Sequence, residues 1–179
     1  WKYFIMKLTI NKGADSFYDG ALRVLKTEDG ANYAAVPISG WVQGVWYNKK
    51  AFQEKGLKEP ETWEDILAAA KAFNDPANKK YGIALATAKS VMTEQVFSQF
   101  ALSNEANVLN GEGKAALDTP EMKEAIEYYQ ELAKYTMPGS NDVSQVKDAF
   151  LNGSAPMVIY STYILPAAYK EGITEYRRG

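Results

Sequence analysis

Residues 45–73 read VWYNKKAFQEKGLKEPETWEDILAAAKAF, and this stretch decides the fold. Its first residues complete a run at 42–47 that is rich in β-branched and aromatic side chains, which predicts a β-strand. A short helical segment follows and closes at Gly56, because glycine readily adopts the conformation that ends a helix. Thr62 then stands three residues before Asp65, the spacing of a capped helix start. A strand followed directly by helices indicates an α/β fold.

The flanking sequence continues this alternation. Hydrophobic spacing and turn residues predict further strands at 33–37, 81–86 and 156–160, and helices at 15–27, 91–102, 118–135, 143–151 and 162–171. The strands at 33–37 and 42–47 are joined too tightly for a crossover helix, so a purely parallel sheet is not expected. The sequence therefore predicts a mixed β-sheet flanked by helices.

The composition excludes several classes of function. The 179-residue chain has a net charge of −2 with its basic residues scattered, so it shows no nucleic-acid-binding patch. It contains no cysteine and no histidine, which removes thiol and imidazole chemistry and the usual zinc ligands. No dinucleotide, phosphate or calcium loop motif occurs, and no apolar run of about 18 residues could span a membrane. We therefore predict no cofactor, no metal site and no transmembrane segment.

A carboxylate-based glycosidase is one alternative. The acidic residues that do not obviously lie on a solvated helix face are Glu94, Glu105 and Asp142. A glycosidase needs two carboxyl groups about 5–9.5 Å apart. Glu94 and Glu105 are separated by 11 positions and fall near opposite ends of one predicted helix, which argues against this pairing.

Aromatic residues at strand ends are the better indication of function. Trp46 and Tyr47 lie within a predicted strand and are expected in the core. Trp41 lies in a turn and Tyr163 follows a strand, so we expect both to be exposed. In open α/β sheets, ligands bind beyond the strand ends. A rigid aromatic ring suits the C–H face of a sugar, while neighbouring polar groups bond the sugar hydroxyls.

Three stretches occur in a recognisable order: residues 45–73 quoted above, DTPEMKEAIEYYQELAKY at 118–135, and AFLNGSAPMVIYSTYIL at 149–165. Together they resemble extracellular solute-binding proteins of ABC importers, the large sugar-binding family that includes maltose-binding protein. The resemblance covers roughly residues 33–172 and extends to one lobe of a two-lobed protein. We therefore expect an excised, truncated or engineered lobe.

The resemblance implies a lobe of the periplasmic-binding-protein type that binds and does not catalyse. It implies an N-terminal segment at 1–32, the lobe at 33–172 and a tail at 173–179 that leads toward a second lobe. For the intact protein it implies a sugar or oligosaccharide ligand, an ABC permease as partner, and a periplasmic or extracellular location, lipid-anchored or secreted.

The ligand contacts of the family, carried onto this sequence, fall in the turn before the strand at 42–47, after the strand at 81–86, and after the strand at 156–160. The residues at these places are Ser39, Trp41, Lys89, Glu94, Ser161 and Tyr163. The family often has a tryptophan that stacks on sugar where this chain has Tyr163. A second hypothesis is that the isolated lobe is a scaffold or self-associating module that uses exposed apolar cleft residues.

Overall fold

The computed structural model describes residues 17–37, 39–173 and 176–178, and the chain divides into two compact units, Trp1–Trp41 and Val42–Gly179. In the first unit, helix α1 (Asp19–Arg23) is followed by a turn that an antiparallel bridge between Lys26 and Tyr33 closes. The helix is shorter than the predicted one at 15–27, whose first two residues lie outside the described part. The predicted strand at 33–37 is wrong, because only Tyr33 forms a bridge and the two alanines after it are exposed.

The second unit contains a small sheet and the remaining described helices. Its elements are β1 (Gln43–Asn48), α2 (Lys49–Glu54), α3 (Trp63–Phe73), α4 (Val91–Ser103), α5 (Pro120–Leu132), α6 (Val143–Leu151), β2 (Met157–Ser161), α7 (Ile164–Lys170) and β3 (Tyr176–Arg178), with 3₁₀ turns at Pro76–Asn78 and Ala133–Tyr135. The strands pair antiparallel in the order β2-β1-β3. The register of β1 and β2 places Gln43 opposite Ser161.

The segment at 81–86 differs from its prediction as a regular strand. One parallel bridge joins its Ala84 to Val158 of β2, with the Ala84 N–H donating to the Met157 carbonyl at 2.7 Å. On its other side the segment bonds to a turn: Leu85 N–H donates to the Thr136 hydroxyl at 2.9 Å. A turn offers no regular ladder, so the segment stays irregular. Its parallel direction beside an antiparallel pair agrees with the predicted mixed arrangement.

The core lies between the sheet and the helices. Trp46 and Tyr47 are 5% and 3% exposed, which confirms that both rings are core residues. The Trp46 indole N–H donates to the Tyr160 carbonyl at 2.9 Å, so its one polar atom is satisfied inside the core. The Tyr47 ring packs against Phe52, with 4.9 Å between ring centroids.

Several helix ends follow the sequence signals. Thr62 and Asp65 form the capping box that starts α3, as predicted. The helix at 143–151 is confirmed at both ends. The predicted helix at 118–135 is α5, which ends at Leu132 and passes into a 3₁₀ turn. The helix predicted at 162–171 is shortened to α7, with Pro166 in its first turn, where proline costs no intrahelical bond.

Candidate functional site

Three polar segments meet at one edge of the sheet. Because β1 and β2 are antiparallel, the start of β1 at Gln43 lies beside the end of β2 at Ser161. The segment at 81–86 runs parallel to β2 from the bridge between Ala84 and Val158. Thr87, three residues after Ala84, is therefore level with Ser161, three residues after Val158. Neighbouring strands lie about 4.8 Å apart, so this row is on the order of 10 Å wide. We call residues 42–43, 87–90 and 161–163 the polar edge.

The end of β2 is fixed to the start of β1 by two hydrogen bonds. Thr162 N–H donates to the Val42 carbonyl at 3.0 Å, and Val42 N–H donates to the Thr162 hydroxyl at 3.4 Å. The Ser161 hydroxyl accepts from the Tyr163 N–H at 3.4 Å. Tyr163 precedes α7 and is 67% exposed, which confirms the predicted exposure of this ring.

The loop that carries Lys89 is held by hydrogen bonds to Asn141. The N–H groups of Thr87 and Ala88 both donate to the Asn141 carbonyl at 2.9 Å. The Lys89 side chain is exposed. Glu94 is exposed in the first turn of α4, where its carboxylate accepts from the Ser98 hydroxyl at 3.1 Å. Lys89 therefore lies on the polar edge with Ser161 and Tyr163, and Glu94 lies one helical turn from Ser90.

Ser39 and Trp41 belong to the first unit. Both are exposed, and Trp41 is 53% exposed, as predicted for this ring. The ligand contacts assigned to these two residues stay predictions, as do those assigned to the four site residues of the second unit.

A depression beside the polar edge was missed by sequence reasoning. It has a volume of about 250 Å³ between β1, α3 and α4, with Gln43, Trp63, Gln99, Phe100 and Ser103 among its lining residues. The Gln43 amide nitrogen is buried and has no hydrogen-bond partner among the described residues. The signal available in the sequence was a glutamine in a predicted strand whose neighbours are apolar or glycine.

A half-buried tyrosine, Tyr129, bonds to the backbone next to the polar edge. The Tyr129 hydroxyl donates to the Ala86 carbonyl at 2.6 Å, directly before Thr87. Burial raises the pKa of Tyr129, so this hydroxyl stays a donor even at an alkaline pH at which an exposed tyrosine ionises. Burial, with a smaller contribution from Asp148, also raises the pKa of Tyr160 at the end of β2.

The acid pair considered for a glycosidase, Glu94 and Glu105, does not have the required spacing. Glu94 lies in the first turn of α4 and Glu105 lies two residues beyond its last residue, Ser103, so at 1.5 Å per residue the helix between them already spans about 14 Å. Asp142 is engaged structurally, since its carboxylate accepts from the Val143 N–H and from the Ser90 hydroxyl. Within residues 17–37, 39–173 and 176–178 there is no group of three or more acidic residues able to hold a metal. None of the helices in those ranges is long and apolar enough to cross a membrane.

The sequence matches the family described as "Bacterial extracellular solute-binding protein" over residues 6–176. It is 62% identical over 162 residues to YcjN of Escherichia coli (strain K12), a protein named as a periplasmic-binding protein of an ABC transporter. That alignment covers 90% of this chain and 38% of YcjN.

Solved structures share the fold. An ABC transporter solute-binding protein from Agrobacterium radiobacter K84, in complex with ribitol, superposes with a TM-score of 0.84 at 24% identity, over 97% of this chain and 46% of that protein. One from Agrobacterium vitis S4, with bound D-mannitol, gives a TM-score of 0.71 at 28% identity, over 93% of this chain and 44% of that protein. The predicted α/β lobe of the periplasmic-binding-protein type is thereby confirmed. The chain spans less than half the length of each of these proteins.

Proposed function

The chain belongs to the bacterial extracellular solute-binding protein family, and from this premise we propose that it takes part in binding a small polyhydroxylated solute without transforming it. The solute class is a sugar, an oligosaccharide or a sugar alcohol. The observation that carries the proposal is Tyr163, a largely exposed aromatic ring two residues after β2, in a segment that also carries the hydroxyl groups of Ser161 and Thr162. A ring next to hydroxyls offers both a stacking surface and hydrogen bonds to such a solute.

The proposed contacts differ in chemistry. Tyr163 supplies a stacking face and a hydroxyl, Ser161 a hydroxyl, Lys89 a cationic donor and Glu94 a carboxylate acceptor. In the first unit, Ser39 and Trp41 are proposed contacts of the same kinds, a hydroxyl and an indole ring.

The ligands of the related structures support this class of solute. Ribitol and D-mannitol, bound in the two Agrobacterium proteins, are linear polyols with a hydroxyl on every carbon. The mannitol protein is 28% identical to this chain. For the whole protein we propose a periplasmic or extracellular location and delivery of the solute to an ABC permease. The name of YcjN, a periplasmic-binding protein of an ABC transporter, supports this proposal. The alternative of a scaffold or self-associating lobe stays a hypothesis.

An NMR titration tests the proposal directly. Ribitol, D-mannitol, maltose and, as a non-polyol control, butyrate are added separately to the ¹⁵N-labelled chain. We expect one or more of the polyhydroxylated solutes to shift the amide signals of residues 87–90 and 161–163. Absence of any shift with all three polyhydroxylated solutes, or equal shifts with butyrate, contradicts the proposal.

A pair of tyrosine variants locates the stacking ring. Tyr163→Ala should weaken binding about tenfold, because an aromatic contact contributes roughly 0.5–1.5 kcal/mol beyond its area burial. Tyr163→Phe should retain most of the affinity. Tyr169→Ala is the matched control, since Tyr169 is 75% exposed on α7 and lies outside the polar edge. Equal effects of Tyr163→Ala and Tyr169→Ala would remove Tyr163 from the site.

A further inference from the structure

Asn141 and Asp142 connect the loop at 87–90 to the start of α6. The Asn141 side-chain amide donates to the Met137 carbonyl at 2.7 Å and to the Thr87 hydroxyl at 3.3 Å. The Asn141 N–H donates to the same hydroxyl at 3.0 Å, and the Asn141 carbonyl accepts from the Thr87 and Ala88 N–H groups. Asn141 is 3% exposed, so these bonds are shielded from water.

Asp142 fixes the other end of the loop. Its carboxylate accepts from the Ser90 hydroxyl at 2.9 Å and from the Val143 N–H at 2.9 Å. Its own N–H donates to the Gln145 side chain at 3.1 Å. One carboxylate thus holds the first turn of α6 and the residue that precedes α4.

The Ser90 hydroxyl does not cap helix α4. Ser90 occupies the N-cap position of α4, where a serine hydroxyl normally accepts from a backbone N–H of the first turn. It makes no such bond and donates to Asp142 instead. Helix α4 therefore forgoes a cap while the loop gains a link to a segment 52 residues away. The stability of α4 therefore does not explain why the Ser90 hydroxyl donates to Asp142.

We propose that Asn141 and Asp142 are positioning residues that clamp the loop at 87–90 and so orient Lys89 and the first turn of α4 for ligand binding. This inference rests on the proposed function. The clamp ties both ends of the loop: Thr87 and Ala88 to Asn141, and Ser90 to Asp142. The Thr93 hydroxyl, which donates to the Ala88 carbonyl at 2.6 Å, closes the loop onto α4.

The variant Ser90→Ala tests the clamp with little risk to folding. It removes the bond to Asp142 and costs no helix cap, since the Ser90 side chain does not cap α4. We expect the amides of residues 87–90 to exchange with deuterium about tenfold faster, because hydrogen bonds to charged groups stabilise by roughly that factor. Ser90→Thr keeps the hydroxyl and should restore slow exchange. Ser98→Ala removes a hydroxyl from the same helix outside the loop and should leave residues 87–90 unchanged.

Ser90→Ala and Ser90→Thr are then titrated with the polyhydroxylated solute that binds the unmodified chain best. We expect Ser90→Ala to weaken binding severalfold and Ser90→Thr to restore it. Unchanged exchange in Ser90→Ala overturns the clamp, and faster exchange with unchanged affinity overturns its positioning role. If the unmodified chain binds none of the solutes, the proposed function fails and the positioning role fails with it. That result differs from failure of the clamp alone, in which the unmodified chain still binds.

Discussion

At Gly82 the irregular segment at 81–86 passes directly over helix α3. A Cβ atom built at this position would lie 1.9 Å from the Ala70 carbonyl oxygen. Backbone atoms on both sides would have to separate to admit a methyl group. The glycine is therefore required by space, since its φ is not in the left-handed region where glycine is favoured.

Gly82→Ala is expected to lower the free energy of unfolding by about 1–3 kcal/mol or more, the usual cost of overpacking a core. Urea denaturation measures the change. Gly111→Ala is the matched control, because a Cβ there meets nothing within 4 Å, and it should change stability by less than about 0.5 kcal/mol. Equal stability of the two variants would contradict the close approach.

At the scale of one element, helix α3 shows how a few side chains determine where a helix begins. The Asp65 N–H donates to the Thr62 hydroxyl at 3.1 Å, and the Asp65 carboxylate accepts from the Thr62 N–H at 3.2 Å. The start of α3 in turn places Trp63, whose indole N–H donates to the Ser103 hydroxyl at the end of α4 at 3.1 Å. The cap thus influences the packing of two helices.

Thr62→Ala should reduce stability by about 1 kcal/mol, because the first turn of α3 loses a partner for a backbone N–H. Thermal unfolding followed by circular dichroism checks this. Thr62→Ser keeps the hydroxyl and should be nearly neutral. The capping role is refuted if alanine and serine have the same effect.

Asp65 gives the same helix a dependence on pH. The Glu61 N–H is the main group that holds the pKa of the Asp65 carboxyl below its usual range, with smaller contributions from Thr62 and Lys58. A carboxyl whose pKa is lowered by folding stabilises the fold above its unfolded pKa of about 3.9, and this contribution is lost as pH falls through the lower folded pKa. The stability difference between the unmodified chain and Asp65→Asn should therefore be present at pH 6 and shrink below about pH 4. A difference that is constant from pH 6 to pH 2.5 would rule out this origin.

At the scale of the whole molecule, burial in the second unit is uneven. Ile83, Ala84, Leu85, Met157 and Val158 are all completely buried where the segment at 81–86 meets β2. The hairpin closed by the bridge between Leu109 and Ala115 is largely exposed, with Val108 and Leu109 more than half accessible. Such differences in packing predict different free energies of local opening.

Hydrogen exchange should separate these two regions. The amides of residues 83–86 and 157–160 are expected to exchange only through global unfolding, whereas those of residues 108–116 should exchange through local opening at lower free energy. Mass spectrometry or NMR at several denaturant concentrations distinguishes the two regimes. Equal exchange free energies in the hairpin and the centre would show that the second unit opens as a single cooperative body.

The sequence by itself determined the local structure of most of the second unit. Several features depend on residues that are close in the chain, so local patterns predict them. They are the capping box at Thr62, the proline start of α5, the glycine after α2, and the burial of Trp46 and Tyr47. The three ordered motifs also predicted the family and the α/β fold. Local patterns failed at 33–37 and 81–86, because a strand needs partners that its own residues do not specify.

Only the tertiary structure decided which polar groups meet. The sequence indicated that Lys89, Ser161 and Tyr163 follow strands, and the registers Gln43–Ser161 and Ala84–Val158 bring their segments to one edge. In the sequence, Asp142 was one of the acids considered for a glycosidase and Asn141 had no assigned role, while the fold makes both residues the anchor of a loop more than 50 residues away. Hydrogen bonds across such distances depend on how the chain packs, and no spacing along the sequence records them.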